Sequence, residues 1–287
     1  MKKSLSLLAI ICGFSILSQA QEISILTDAD TDPGIPCDTG RFRIAYSMNF
    51  LSDTTRTDAK PINELMILEV GKKVSLFYSY SHYVADSVFA VDIKNKVSNA
   101  VINEHLQQFD PGRISWILYK NYHGKGNTAL LQRIGIGRYK CEEENQVPEW
   151  KLLPDTTTIL GYKCLKATAS YKGRNWMAWY APDIPINEGP WKLCGLPGMI
   201  LKAEEEKHTY TFEANGLKKM DSSHSILYKG NKYEPISRKN LDKLLVRHYA
   251  DPVGFINNDP NVTVTFTDEN GNKTANPKAI PYNPIEK

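Results

Sequence analysis

Beyond its first twenty residues the chain has no apolar run long enough to cross a bilayer as a helix. That excludes a helical membrane domain from the remainder. No charge dominates either: 35 Lys and Arg stand against 32 Asp and Glu, a formal net charge of +3. So small an excess sets up no global field, and no nucleic-acid partner is assigned. One local excess exists between Lys218 and Arg247, where eight basic residues face only Asp221, Glu234 and Asp242. It reads as a solvated face, with an anionic partner such as lipid headgroups as the alternative. The six histidines show no His-x-x-x-His or His-Glu-x-x-His spacing, so His82, His105 and His123 are not assigned a metal. His248, on an apolar helix face, reads as a core histidine. No G-x-S-x-G elbow is present. Gly124-Lys125-Gly126-Asn127-Thr128 lacks the phosphate-loop order and reads as a hairpin turn. Glu142-Glu143-Glu144 and Glu204-Glu205-Glu206 read as solvated turns that single out no carboxylate pair. No catalytic residue and no cofactor is nominated.

What is present begins at the N-terminus. Lys2 and Lys3 precede an apolar run from Leu5 to Leu17 and then Ser18-Gln19-Ala20. Charge, apolar core and small residues in that order are the layout of a cleaved signal peptide. Residues 1–20 are therefore expected to be removed, leaving an exported chain in the periplasm or outer envelope. Of the five cysteines, Cys12 lies in the apolar run. Cys37, Cys141, Cys164 and Cys194 remain. An even number in an exported chain favours disulfides, and four cysteines allow three pairings. Cys164 with Cys194 is preferred, leaving Cys37 with Cys141; free buried thiols are the alternative.

Strand periodicity dominates the rest. Phe42, Ile44, Tyr46, Met48 and Phe50 alternate with Arg43, Ala45, Ser47 and Asn49, a half-buried strand. Met66 to Val70 and Val74 to Tyr80 read as a hairpin turning at Gly71-Lys72. Trp116 to Tyr122, Thr128 to Tyr139, Trp150 to Leu153, Thr158 to Tyr171 and Asn175 to Tyr180 continue a meander, with Lys172-Gly173 as a tight turn. Met199 to Ala203 and Thr209 to Gly216 form another hairpin. Helical spacing takes over at 84–109, closed by a turn at Asp110-Pro111-Gly112. It returns at 240–250, where Asn240 can cap and Asp251-Pro252 stops the helix. Val262 to Phe266 alternates again. The fold expected is mainly β (α+β): a curved antiparallel sheet, an open half-barrel among its forms, covered by one or more helices. A closed barrel and a two-sheet sandwich are the alternatives. One β-rich domain spans 21–267, and 268–287 is expected to be a loose tail.

Aromatic residues crowd around a Pro/Gly-rich stretch, Ala181 to Gly198. Trp176, Trp179, Tyr180 and Trp191 lie there with Arg174, although alternation puts Trp176 and Trp179 on opposite faces. An aromatic groove for lipid, peptide or glycan is one reading, and a packed core edge under an ordered loop is the other. Pro197 and Gly198 suit the central positions of a type II turn. Gly195 suits a close approach to the tryptophans.

The same region carries a resemblance. Leu160-Gly161-Tyr162-Lys163-Cys164, Gly173-Arg174-Asn175-Trp176, Ala178-Trp179-Tyr180 and Ile184-Pro185-Ile186 lead into Gly189-Pro190-Trp191-Lys192-Leu193-Cys194-Gly195-Leu196-Pro197-Gly198-Met199-Ile200-Leu201. This resembles the GLPGLI family of exported bacterial proteins, with Met199 in place of the second Leu; the signature loop is 189–201. The family is one of uncharacterised function, so the resemblance implies export and a largely β domain but carries over no catalytic residue. The leading expectation is a ligand- or partner-binding module. It would use the sheet's concavity or the signature loop through Arg174, Trp179, Tyr180, Trp191 and Leu196. Envelope lipid, glycan or protein are the candidate partners. A hydrolase assembled from distant residues and a purely structural envelope component are the alternatives.

Overall fold

The computed structural model describes residues 31–110, 112–259, 275 and 279–287. The signal-peptide segment and the alternation at Val262 to Phe266 lie outside the described residues. Strands come first and helices interrupt them. Strands β1 (Ile35–Phe50), β2 (Ile62–Gly71) and β3 (Ser75–Ser79) precede helices α1 (Tyr80–Lys94) and α2 (Asn99–Gln107). Then follow β4 (Ile117–Lys120), β5 (Asn127–Ile134), β6 (Gly137–Glu144), β7 (Lys151–Ile159), β8 (Tyr162–Tyr171) and β9 (Arg174–Ala181). The chain continues through β10 (Met199–Glu205), β11 (Tyr210–Lys219), β12 (Ser225–Tyr228) and β13 (Glu234–Pro235) to α3 (Arg238–Ala250) and α4 (Pro252–Asn257).

The strands form one open sheet in the order β13-β6-β5-β4-β3-β2-β1-β11-β10-β9-β8-β7, with β12 on the first part of β1. All pairings are antiparallel except β13 with β6. Register slips interrupt β1 against both β2 and β11, and β9 against β10. Such bulges bend and twist a sheet.

Period-two alternation gives the sheet two different faces. Ile44, Tyr46, Met48, Met66, Leu68, Phe77, Leu118 and Phe212 form the larger core on one face. On the other, Ile67, Leu76, Tyr78, Tyr119, Leu131, Ile226 and Tyr228 form a smaller cluster. Helix α3 places Leu241 and Leu245 on the larger core. Helix α1 packs against β2 and β3, where Ser79 ends β3 and caps the helix by accepting from the His82 amide at 3.2 Å.

Two expected strands are each split by a hairpin. The run from Thr128 to Tyr139 reverses at Gly135, whose φ is +58°, so Ile134 pairs with Gly137. The run from Thr158 to Tyr171 reverses at Leu160-Gly161, both at positive φ, with Ile159 opposite Tyr162. That is a two-residue primed turn, like the expected one at Lys172-Gly173. Ser237 and not Asn240 holds the N-cap position of α3, without a side-chain capping bond, and Asn240 sits in the first turn. Asp251 does stop α3, but it also caps α4, accepting from the Gly254 amide at 2.9 Å.

The cysteines are not paired: Cys37, Cys141, Cys164 and Cys194 are free thiols. Cys37 packs on the smaller cluster and Cys141 on the larger core, so they lie on opposite faces. Cys164 is opposite Thr157. Cys194 instead sits by Trp150, whose Nε1 donates to its carbonyl at 2.8 Å. The next residue, Lys151, pairs with Thr168, four positions along β8. That is ~13 Å from Cys164 at strand rise, whereas a disulfide needs Cα atoms within ~7 Å. Burial raises all four thiol pKa values, Cys37 to about 11.

The segment expected to be loose is docked at its end. Tyr282 stacks on Tyr249 with ring centroids 4.3 Å apart, and Tyr282 and Ile285 pack against the larger core.

His248 is 0% exposed, lies edge-on to Tyr249 and Phe255, and has no hydrogen-bond partner on either ring nitrogen among the described residues. Burial lowers its pKa from 6.5 to about 4. The unfolded chain therefore binds this proton first. The stability that neutral His248 contributes is complete above pH 6.5 and is lost as pH falls towards about 4. Over that window the loss should reach on the order of 3 kcal/mol. Chemical denaturation of wild type and His248→Leu across the window checks this: the variant should lack that part of the acid destabilisation, and parallel curves would show that His248 does not cause it.

Candidate functional site

The signature loop is core. The connection from β9 to β10 folds back over the larger core, where Ile184, Trp191, Leu193 and Leu196 are all buried. Trp191 lies 5.7 Å from both Trp176 and Tyr171, ring to ring. Main-chain bonds hold the path, among them Gly195 amide to Asn187 carbonyl (3.1 Å) and Ile200 amide to Glu188 carbonyl (2.9 Å). Two buried lysines fasten it. Lys120 donates to the Gly189 carbonyl at 2.9 Å and pairs with Glu188. Lys192, 0% exposed, pairs with Glu143 and with Glu286. Burial would raise the Glu286 carboxyl, but Lys192 and Arg238 hold it below its ordinary value.

The nominated binding residues therefore separate. Tyr180, Trp191 and Leu196 are buried and offer no open surface. Arg174 is buried too, its guanidinium 4.8 Å from the Tyr210 ring centroid and bonded to segment 283–285. Trp179 alone is partly exposed, on the face opposite Trp176, with the Lys166 ammonium 5.5 Å from its ring centroid. Of the two readings of these aromatics, their burial supports a packed core edge under an ordered loop.

Nor is the type II turn. The Gly198 amide donates to the Leu196 carbonyl (2.8 Å), a three-residue turn centred on Pro197, and the Met199 amide donates instead to Ile184. Gly198 has φ +156°, and the stronger requirement is space: a Cβ there would lie 2.6 Å from the Ala181 carbonyl carbon and closer to its oxygen. Gly195, at φ +92°, faces Val147 and not the tryptophans.

Converging polar groups lie on the opposite face. Between α1, β3, β4 and β12 is a cleft of about 100 Å³. Its floor is Glu69, 4% exposed. Arg43 donates to Glu69 through Nη2 at 2.6 Å, the Tyr78 hydroxyl at 3.1 Å, and His224 Nε2 lies 2.9 Å away. Burial and the Glu69 charge push the Tyr78 phenol far above its usual pKa. Across the cleft, Arg133 donates to Asp86 at 2.8 Å and to His82 Nε2 at 2.7 Å. Arginine only donates, so His82 accepts there as neutral imidazole. Leu76, Ile117 and Leu227 supply apolar wall. Lys229 stands at the rim, 5.7 Å from the Tyr83 ring centroid, with no carboxylate partner among the described residues. The legible signal in the sequence was one acid, Glu69, inside the apolar run from Leu65 to Val70. Arg43 on β1, Tyr78 on β3, and His224 and Lys229 flanking β12 are distant in sequence and give none.

Against known proteins, residues 171–202 match the family model described as "Protein of unknown function (Porph_ging)". The chain carries the GLPGLI-family signature. Its signature segment is the buried crossover just described. No match was found among curated proteins. Two solved structures of PNGF-II, in different space groups, align with 73% of the chain at 18% and 17% identity, with TM-scores of 0.49 and 0.47. The aligned region is 34% and 33% of those chains, so this chain spans about a third of their length.

The loop geometry separates two kinds of glycine. Gly161→Ala meets no atom within 4 Å and should cost about 1 kcal/mol, the penalty of positive φ. Gly198→Ala must also displace the Ala181–Pro182 backbone and should cost ~2–4 kcal/mol. Pro197→Ala should cost under ~1 kcal/mol, through the unfolded chain. Thermal melts of the three variants give the order; equal losses for the two glycines would refute the close-approach account.

Proposed function

We propose that the chain is an exported envelope protein whose α1 cleft binds a small amphiphilic anion. The observation that carries this reading is the asymmetry of the cleft's charges. Glu69 and Asp86 are consumed by Arg43, His224 and Arg133, while Lys229 at the rim faces no carboxylate among the described residues. The cleft is left with cationic character beside apolar wall. An anionic group would sit by Lys229 and the outer edge of Arg43, with the apolar body between Tyr83, Leu76, Ile117 and Leu227. Trp191 of the signature loop lines a second cavity, of about 120 Å³, but the Arg238 and Glu286 charges there are paired with each other.

The fluorescent anion 8-anilino-1-naphthalenesulfonate is a suitable probe because it joins an aromatic body to a sulfonate. It should bind saturably to the folded protein. Leu227→Trp, which fills the cleft, should abolish binding, and Lys229→Met should weaken it about three- to tenfold. Unchanged binding by both variants would refute the site. Native mass spectrometry of protein purified from its own envelope would then identify the natural ligand as a co-purified anion.

A further inference from the structure

On the opposite side of the sheet, the residues around the signature segment grip an irregular piece of chain, Tyr282 to Lys287, that bends at Ile285. Three of the bonds go to its main-chain carbonyls. Arg174 donates through Nε to the Ile285 carbonyl (2.9 Å) and through Nη2 to the Pro284 carbonyl (2.5 Å), and the Tyr210 hydroxyl donates to the Asn283 carbonyl. At the far end the Lys287 amide donates to the Lys172 carbonyl at 3.0 Å. Pro284 has no amide hydrogen, so its burial orphans no donor. Two side chains add selectivity. The Asn283 amide group accepts from Arg174 Nη2 at 2.8 Å and donates to the Leu51 carbonyl at 2.8 Å. The Glu286 carboxylate, three residues on, lies 2.6 Å from Lys192 and pairs with Arg238.

This is the chemistry of a peptide receptor: three consecutive carbonyls read by Arg174 and Tyr210, plus an amide and an acid at fixed spacing. Arg174 lends it direction, because its planar fork cannot be replaced by the point charge of a lysine.

We infer that this groove is a peptide-docking site which also takes the Tyr282–Lys287 segment of a second copy of the chain. Exchange of the segment between two copies remakes every bond in identical form, a self-complementary arrangement with two-fold symmetry. A second copy is thus the one partner certain to carry a segment that fits. The inference concerns a different face from the α1 cleft and does not depend on it.

Two full-length variants test it. One, Asn283→Ala with Glu286→Ala, keeps the groove and weakens the segment; the other, Arg174→Lys, keeps the segment and weakens the groove. Mixed together they should form one-to-one pairs in sedimentation velocity, at least about tenfold more tightly than either associates alone. In a second arm, a fluorescein-labelled peptide of residues 279–287 is titrated with the Asn283→Ala, Glu286→Ala protein. Saturable binding is expected, weakened about tenfold or more when the peptide itself carries Glu286→Ala. Absence of peptide binding overturns the receptor. Peptide binding without mixed pairs overturns the second copy as its source, and if Arg174→Lys fails to fold, Tyr210→Phe takes its place in the mixture.

Discussion

A lysine ammonium with no access to water sets the plan of the larger core. Lys192 is 0% exposed, and an unpaired buried cation would cost several kcal/mol. Its counter-charges come from two distant places, Glu143 on β6 and Glu286 near the end of the sequence. Arg238, at the start of α3, reaches the same carboxylates. Four pieces far apart in sequence must therefore meet: strand β6, the signature loop, the first turn of α3 and the final segment. A buried ion pair adds little net stability compared with a well-packed apolar pair. It does penalise every arrangement in which one partner is missing. Here that penalty falls on any fold that leaves the final segment undocked or the loop lifted from the sheet.

From this follows the division between the two faces. One face is covered by the loop, α3 and the final segment, which leave a cavity of about 120 Å³ between them, and Lys192, Arg238 and Glu286 hold those pieces together. The other has a shorter cover, α1 and β12, and between them the sheet floor stays accessible. Glu69 illustrates the difference. It is more buried than Glu143 and Glu286 on the covered face, at 5% against 18% and 17%, yet its partners Arg43 and His224 are themselves about a third exposed, at 31% and 29%. The cleft therefore communicates with solvent through charged and aromatic groups, which is what a binding site needs and a core does not.

Much of the sheet was legible because its signals are local. The alternation from Phe42 to Phe50 marks β1, and Lys172-Gly173 marks a primed turn. Turns at Gly135 and Leu160-Gly161 give no local signal, because the apolar alternation runs through them without a break. Both helical regions were legible, but not the cap of α3, since Ser237 and Asn240 are equally good capping residues by type. What could not be read was anything built from distant residues. Arg174 and Asn283 are 109 positions apart, and no spacing announces their bond. The disulfide expectation failed for the same reason. Cysteine number and compartment allow a bridge, but only the folded chain shows that Cys164 faces Thr157 while Cys194 sits by Asn145 and Trp150.

The signature itself illustrates why a motif can be specific and still be silent about chemistry. Trp191 has φ +51°, Gly198 lies where a Cβ would strike the Ala181 carbonyl, and Leu193 and Leu196 fill the space beneath. Each requirement concerns the route of the backbone across the sheet. Turning twice within a few residues, while passing over another strand's carbonyls, leaves few side chains that fit. Such a segment is recognisable because the route is demanding, whatever the protein binds elsewhere. The cleft under α1 imposes no comparable demand on a contiguous stretch. Its groups are single residues in separate strands, each satisfying ordinary alternation, and they become a site only when the sheet brings β1, β2, β3 and β12 side by side.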